Sequence, residues 1–222
     1  MNHLKLPNHI AIIGAGPIGI YLTDQLLKQG WNVHLFEAGF EFEESDHLNL
    51  KHYIFTTESA LPKNVHRVGG GTNFWRGRLS EFQSKDFSNR LEVVGASWSF
   101  GKDELAKFYL EVYKNLNQVN ISDESMLIKF KSSVHFDLQS NLNLRLFRFC
   151  EPNFFTNLYT KIQQHPNLIV NLGTFCKEIE FHDSENYNLH LVGKHKKASV
   201  QNFKHIVICS GTLQTTALLL RS

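Results

Sequence analysis

Apolar and polar positions follow two different periods along this chain, and each change of period marks an element. His9 to Ile13 is a short β-branched run that stops at glycine. From Ile18 the apolar residues take helical spacing at Ile18, Tyr21, Leu22 and Leu26, and the pattern closes at Gly30. Trp31 to Phe36 returns to period two, with Val33 and Leu35 alternating against Asn32 and His34, and it ends at Glu37-Ala38-Gly39. Strand, tight turn, helix over 18–29 and second strand make residues 9–39 a βαβ unit.

Period is lost from Phe40 to Asn64, and Gly69-Gly70-Gly71 then interrupts the chain. Asp103 to Asn117 reads as a helix with Leu105, Phe108, Tyr109, Val112, Tyr113 and Leu116 on one face and two acids in its first turn. Weak alternation from Ile121 to Arg148, as in Leu142, Leu144 and Leu146, suggests strands. Phe154 to Gln164 predicts a helix stopped before Pro166, and three strands follow at Leu168–Leu172, Cys176–Phe181 and Tyr187–Val192. Phe203 to Cys209 is a last apolar strand ending at Ser210-Gly211, after which Thr212 can cap a helix running through Leu220. No repeat or low-complexity linker appears, so the middle of the chain reads as an insertion into one α/β domain.

Composition narrows the possible roles. The 222 residues are 42% hydrophobic and 20% charged, which excludes disorder and a coiled coil. With 23 Lys and Arg against 21 Asp and Glu, no charge excess points to nucleic acid or an anionic membrane, and small molecules are the expected partners. Cys150, Cys176 and Cys209 are an odd number without CxxC spacing, which suits buried thiols in a reducing compartment and gives no support to a zinc site. The 12 histidines show no i, i+4 pair on a predicted helix, so no metal and no catalytic histidine is assigned. No window approaches the ~18 to 20 apolar residues of a membrane-spanning helix, and no signal peptide opens the chain. A cytoplasmic protein is expected.

Gly14-Ala15-Gly16-Pro17-Ile18-Gly19 is a GxGxxG at the junction of a predicted strand and helix, the context that gives this pattern its meaning. The first glycine permits the turn, the second lets backbone amides approach a pyrophosphate, and the third lets helix meet strand closely. Pro17 suits a first helical turn. Glu37, 18 residues after Gly19, can accept the hydroxyls of an adenosine ribose and would repel a 2′-phosphate. FAD and NAD both share the ADP half, and the motif does not separate them.

A second unusual segment, Val68-Gly69-Gly70-Gly71-Thr72-Asn73-Phe74-Trp75-Arg76-Gly77-Arg78, allows backbone to lie against a flat or charged ligand. It resembles the glycine-rich stretch after the first βαβ unit in flavoproteins of the glucose–methanol–choline (GMC) oxidoreductase family, which runs beside the FAD pyrophosphate and flavin ring. Asp86-Phe87, Trp98-Ser99-Phe100 and Asp103 to Tyr109 resemble the start of that family's substrate region. His205 to Ser222 is similar to its second signature, in which a strand returns to the sheet. The landmarks keep their order over nearly the whole chain.

The resemblance implies a three-layer, Rossmann-like FAD-binding domain from residues 1–78 and 150–222, with 79–149 a partial substrate-domain insertion. It implies that Gly14, Ala15, Gly16, Pro17, Ile18, Gly19, Glu37, Ala38, Gly70, Gly71, Thr72, Asn73, Cys176, Ser210 and Gly211 lie against the cofactor, Cys176 through its backbone on the adenine side. Some relatives bind flavin covalently through a histidine where this chain has Phe74, so non-covalent FAD is expected, with Phe74 packed on the ring or in the core. The implied activity is oxidation of a CH–OH group of an alcohol or sugar by hydride transfer to flavin. In the family the base that removes the hydroxyl proton lies beyond the signature that ends here. The expectation is therefore a C-terminally truncated enzyme, or a non-catalytic FAD-binding module or subunit that needs a partner chain.

Overall fold

A computed structural model of the chain describes residues 9–41, 66–88, 98–116, 118, 125–129, 147–181, 186–193 and 197–222. These fall into two compact units, one formed by residues 1–74 and 153–222 and the other by 75–152.

The first unit is built on a four-stranded parallel sheet. Strand β1 (His9–Ile13) lies between β2 (Asn32–Phe36) and a late strand (His205–Ile208), and β2 pairs outward with Leu168–Asn171. Helix α1 (Pro17–Lys28) makes the crossover between β1 and β2. Ile10, Ala11, Ile12 and Ile13 are all buried, as a central strand covered on both faces requires. Full burial of each isoleucine side chain contributes about 1.5–3 kcal/mol. Thr23, buried in the middle of α1, satisfies its hydroxyl by donating to the Gly19 carbonyl at 2.7 Å.

The other layer is a three-stranded antiparallel sheet, Phe175–Phe181, Tyr187–Val192 and Ala198–Phe203. Its Cys176, Leu189, Leu191 and Phe203 share a core with Ala11, Ile13 and Phe36 of the parallel sheet and Leu218 of the terminal helix, Thr212–Arg221. In chain order, α2 is Lys102–Asn115, α3 is Phe154–Ile162 and α4 is Thr212–Arg221, while β3 is Arg78–Leu79, β4 is Arg148–Phe149, β5 is Leu168–Asn171, β6 to β8 are the antiparallel strands and β9 is His205–Ile208.

Several expectations change. The apolar run 203–209 is not one strand: Phe203 ends β8 in the antiparallel sheet, and after Lys204 the chain enters the parallel sheet as β9. Strand β8 escapes the periodicity because it is an outer strand of its sheet in which only Phe203 is buried. Thr212 is the first residue of α4 rather than its cap, which is Gly211. Most of the predicted strands between Ile121 and Arg148 lie outside the described residues; within that span 125–129 is helical, and Arg148 opens β4.

The second unit pairs β3 with β4 and carries α2. Gly101 opens α2 by donating its amide to the Glu104 carboxylate at 2.9 Å, and of the predicted apolar face Tyr113 and Leu116 are buried while Phe108 is exposed. Arg148 is buried with its guanidinium 3.7 Å from the centre of the Tyr113 ring, so this arginine is not the solvated cation that a loop or edge position suggests.

Candidate functional site

Strand order reverses at β1: its neighbour on one side, β2, follows it at once in sequence, and on the other side its neighbour β9 lies 195 residues further along the chain, with Ile10 opposite His205 and Ile13 opposite Ile208. Ligands of open α/β sheets bind at such a switch point, outside the carboxyl ends of the strands. Here that place is a cleft of about 730 Å³.

The glycine turn forms its floor. Gly14 has φ of 106° and donates its amide to the Phe36 carbonyl at 2.7 Å, and a Cβ added to it would sit 2.7 Å from the Cys209 carbonyl oxygen. A Cβ at Gly19 would collide with the Gly14 carbonyl. Both positions exclude a side chain for reasons internal to the fold. At Gly16 the nearest atom to an added Cβ is 3.9 Å away. Gly16 is also the N-cap of α1, with no side chain capping the helix and Pro17 in its first turn. The positive end of the helix dipole therefore faces the cleft bare, which suits an anion.

Glu37 stands at the end of β2, buried, and lines the cleft. Its Oε2 accepts the Ala15 amide at 2.8 Å and its Oε1 accepts the Gly39 amide at 2.9 Å. The carboxylate thus ties the glycine turn to the next strand end, and each oxygen keeps a further lone pair for a ribose hydroxyl. Burial pushes its pKa above the usual carboxylate range, and the backbone amides of Gly39, Ala15 and Ala38 pull the other way.

The second glycine segment forms the facing wall. The Gly69 amide donates to the Ala15 carbonyl at 2.8 Å, Gly70 lies with its Cα face close enough to Gly16 that an added Cβ would stand 3.1 Å from the Gly16 Cα, and nothing would meet a Cβ at Gly71. Of the residues expected at the site, Gly14, Gly16, Pro17, Ile18, Glu37, Ala38, Gly70, Gly71, Cys176, Ser210 and Gly211 all line this one cleft. Ala15, Gly19, Thr72 and Asn73 do not. Ala15 spends its amide on Glu37, and Thr72 and Asn73 turn back on their own segment, donating to the carbonyls of Gly69 and of Val68 and Gly70.

Cys176 is buried, and desolvation raises its thiol pKa to about 12. Burial raises Cys209 as well, so neither thiol of the cleft is poised as a nucleophile. Phe74 is 66% exposed, with the Arg67 guanidinium 5.7 Å from its ring centre, and so is not a core residue. His66, Thr174, Phe175, Gln214, Thr215 and Arg221 also line the cleft without having been expected there. A signal for two of them was present: Gln214 and Arg221 recur with Leu218, which also lines the cleft, at helical spacing on one face of α4. Among the described residues, no group of His, Cys, Asp or Glu could hold a metal ion, and no helix is long and apolar enough to cross a membrane.

No protein-family model matches the chain. Among curated proteins it is similar to paromamine 6′-oxidase from Streptomyces fradiae, with 28% identity across 45% of this chain and 21% of that protein. Among solved structures it is similar to pyridoxine 4-oxidase from Mesorbium loti, with a TM-score of 0.60 and 18% identity over 97% of this chain. The chain spans 52% of that structure's length. The sequence match stands beside the ordered motifs, and the chain shares the α/β fold of the pyridoxine 4-oxidase structure.

Proposed function

We propose that the cleft holds FAD and that the chain supplies the flavin-binding part of an oxidoreductase acting on the CH–OH group of a small-molecule alcohol or sugar. The observation that supports this best is the bare N-terminus of α1 at Gly16, with the Glu37 carboxylate beside it and the Gly70–Gly71 backbone across from it. Such a cradle suits a pyrophosphate flanked by a ribose diol. When bound, the flavin would supply the hydride acceptor.

The chain's own residues bind and orient. Gly14, Gly16 and Pro17 present the helix mouth, Glu37 takes the ribose hydroxyls, and Gly70 and Gly71 let backbone approach the ligand. Residues 75–152 are proposed as part of a substrate domain. FAD would be held without a covalent bond, because the benzyl side chain of Phe74 carries no nucleophile. Neither the thiols of the cleft, held protonated by burial, nor Glu37, engaged by two amides, is assigned as the base for the alcohol proton. A partner chain is one source of that base.

The test is FAD retention. The purified chain should keep flavin absorption through desalting, with NAD as the control, and Gly16→Ala should weaken FAD binding about tenfold or more while leaving the thermal midpoint unchanged. Retention of NAD but not FAD would reverse the assignment. Flavin retention without alcohol turnover would identify the chain as a binding subunit.

A further inference from the structure

The two ends of the cleft are chemically different: among the described residues that line it, the one arginine, Arg221, stands at one end. Starting from the helix mouth at Gly16, Glu37 comes next through its bond to the Ala15 amide. Thr174 follows, donating its amide to the Glu37 carbonyl at 2.9 Å, and Phe175 and Cys176 continue from it along β6. At this end α4 delivers Arg221, whose Nε donates to the Lys177 carbonyl at 2.8 Å and whose guanidinium carbon is 5.6 Å from the centre of the Phe175 ring. Gly211, at the other end of α4, lies beside the glycine turn. Ten residues of helix separate the two by about 15 Å.

A dinucleotide with its pyrophosphate at Gly16 and its ribose at Glu37 directs its base toward this end. We propose that Arg221 is a specificity-determining residue that holds the adenine ring by stacking its guanidinium plane on the purine, a role resting on the FAD assignment above. The bond from Nε to Lys177 fixes the plane of the fork, and a planar, weakly hydrated cation favours an aromatic face. A lysine cannot reproduce this, since its ammonium has no plane. A phosphate on the ribose is disfavoured as the partner of Arg221, because Glu37 occupies the ribose position as an acceptor.

The experiment is calorimetric titration of the full chain with ADP, FMN and 2′-phospho-ADP, alongside Arg221→Lys and Arg221→Met. Expected are ADP binding by the wild type, about tenfold weaker ADP binding by both variants, unchanged FMN binding and unchanged circular dichroism. Full affinity for ADP in Arg221→Met, or full rescue by Arg221→Lys, would overturn the stacking role while leaving the FAD assignment standing. Tighter binding of 2′-phospho-ADP than of ADP, lost in Arg221→Met, would overturn it in favour of a phosphate contact. Equal loss for FMN and ADP would show a general structural effect instead. Failure of the wild type to bind ADP or FAD would remove the assignment on which the role rests, and the role with it.

Discussion

The two glycine-rich segments look alike in composition and meet across one cleft, yet they need glycine for different reasons. In 14–19 contact with backbone decides: Gly14, which also has φ of 106°, and Gly19 are pressed against carbonyl groups of Cys209 and of Gly14 itself. In 69–71 it is conformation and access, since Gly69 and Gly70 have φ of 88° and 50° and Gly71 faces open space. The first segment is bound into the packing of helix on sheet. The second is a wall whose shape matters more to a ligand than to the fold. Stability and affinity should therefore separate when the two are mutated.

The largest effect is expected at Gly19→Ala. The methyl has only backbone to displace, so α1 must shift from β1, at a cost of about 3 kcal/mol or more. Urea unfolding measures this, and a variant as stable as the wild type would break the contrast at its strongest point.

Glu37→Gln comes next. The amide side chain can offer one oxygen to the two backbone amides that the carboxylate satisfies, leaving a buried N–H unpaired at about 1–3 kcal/mol. The pH dependence has a defined sign. Because burial raises the Glu37 pKa in the folded state, its contribution to stability is fully present below the unfolded value, near 4.5, and is lost as pH rises through the folded value. Wild type should accordingly gain on the glutamine variant as pH falls through that window. A stability difference that is constant with pH would mean that the carboxylate is not buried as described.

Gly70→Ala should be milder. A φ of 50° costs an L-residue about 1–2 kcal/mol, and the Cβ would stand 3.1 Å from the Gly16 Cα, within reach of a small adjustment. Fluorescence-monitored unfolding should place it between Glu37→Gln and the wild type.

How much of this was legible in the sequence depends on what each residue answers to. The βαβ unit was readable because local pattern and burial agree: Val33 and Leu35 alternate as a strand and are buried as one. The returning strand was readable in position but not in its start, because no glycine or proline stands between Phe203 and Ile208 to mark the point, at Lys204, where the chain changes sheets. Glu37 was readable as an acid at the right spacing, but its grip on the Ala15 amide is a contact over 22 residues that no local pattern encodes. The spacing of Arg221 on α4 was legible, but its bond was missed for the same reason. Its partner Lys177 is 44 residues away, and only the packing of α4 on β6 brings them together.

Gly71→Ala is the smallest expected change in stability and the sharpest test of the contrast. Its backbone has no positive φ, and a Cβ there meets nothing within 4 Å, so the unfolding free energy should stay within about 0.5 kcal/mol of wild type. Yet Gly71 lines the cleft opposite the helix mouth, where a methyl would occupy space that a ligand needs. Flavin fluorescence titration should show FAD affinity about tenfold lower with the melting curve superimposed on that of the wild type. Unchanged affinity would mean that the second segment does not touch the cofactor, and its three glycines would then answer only to the shape of the turn.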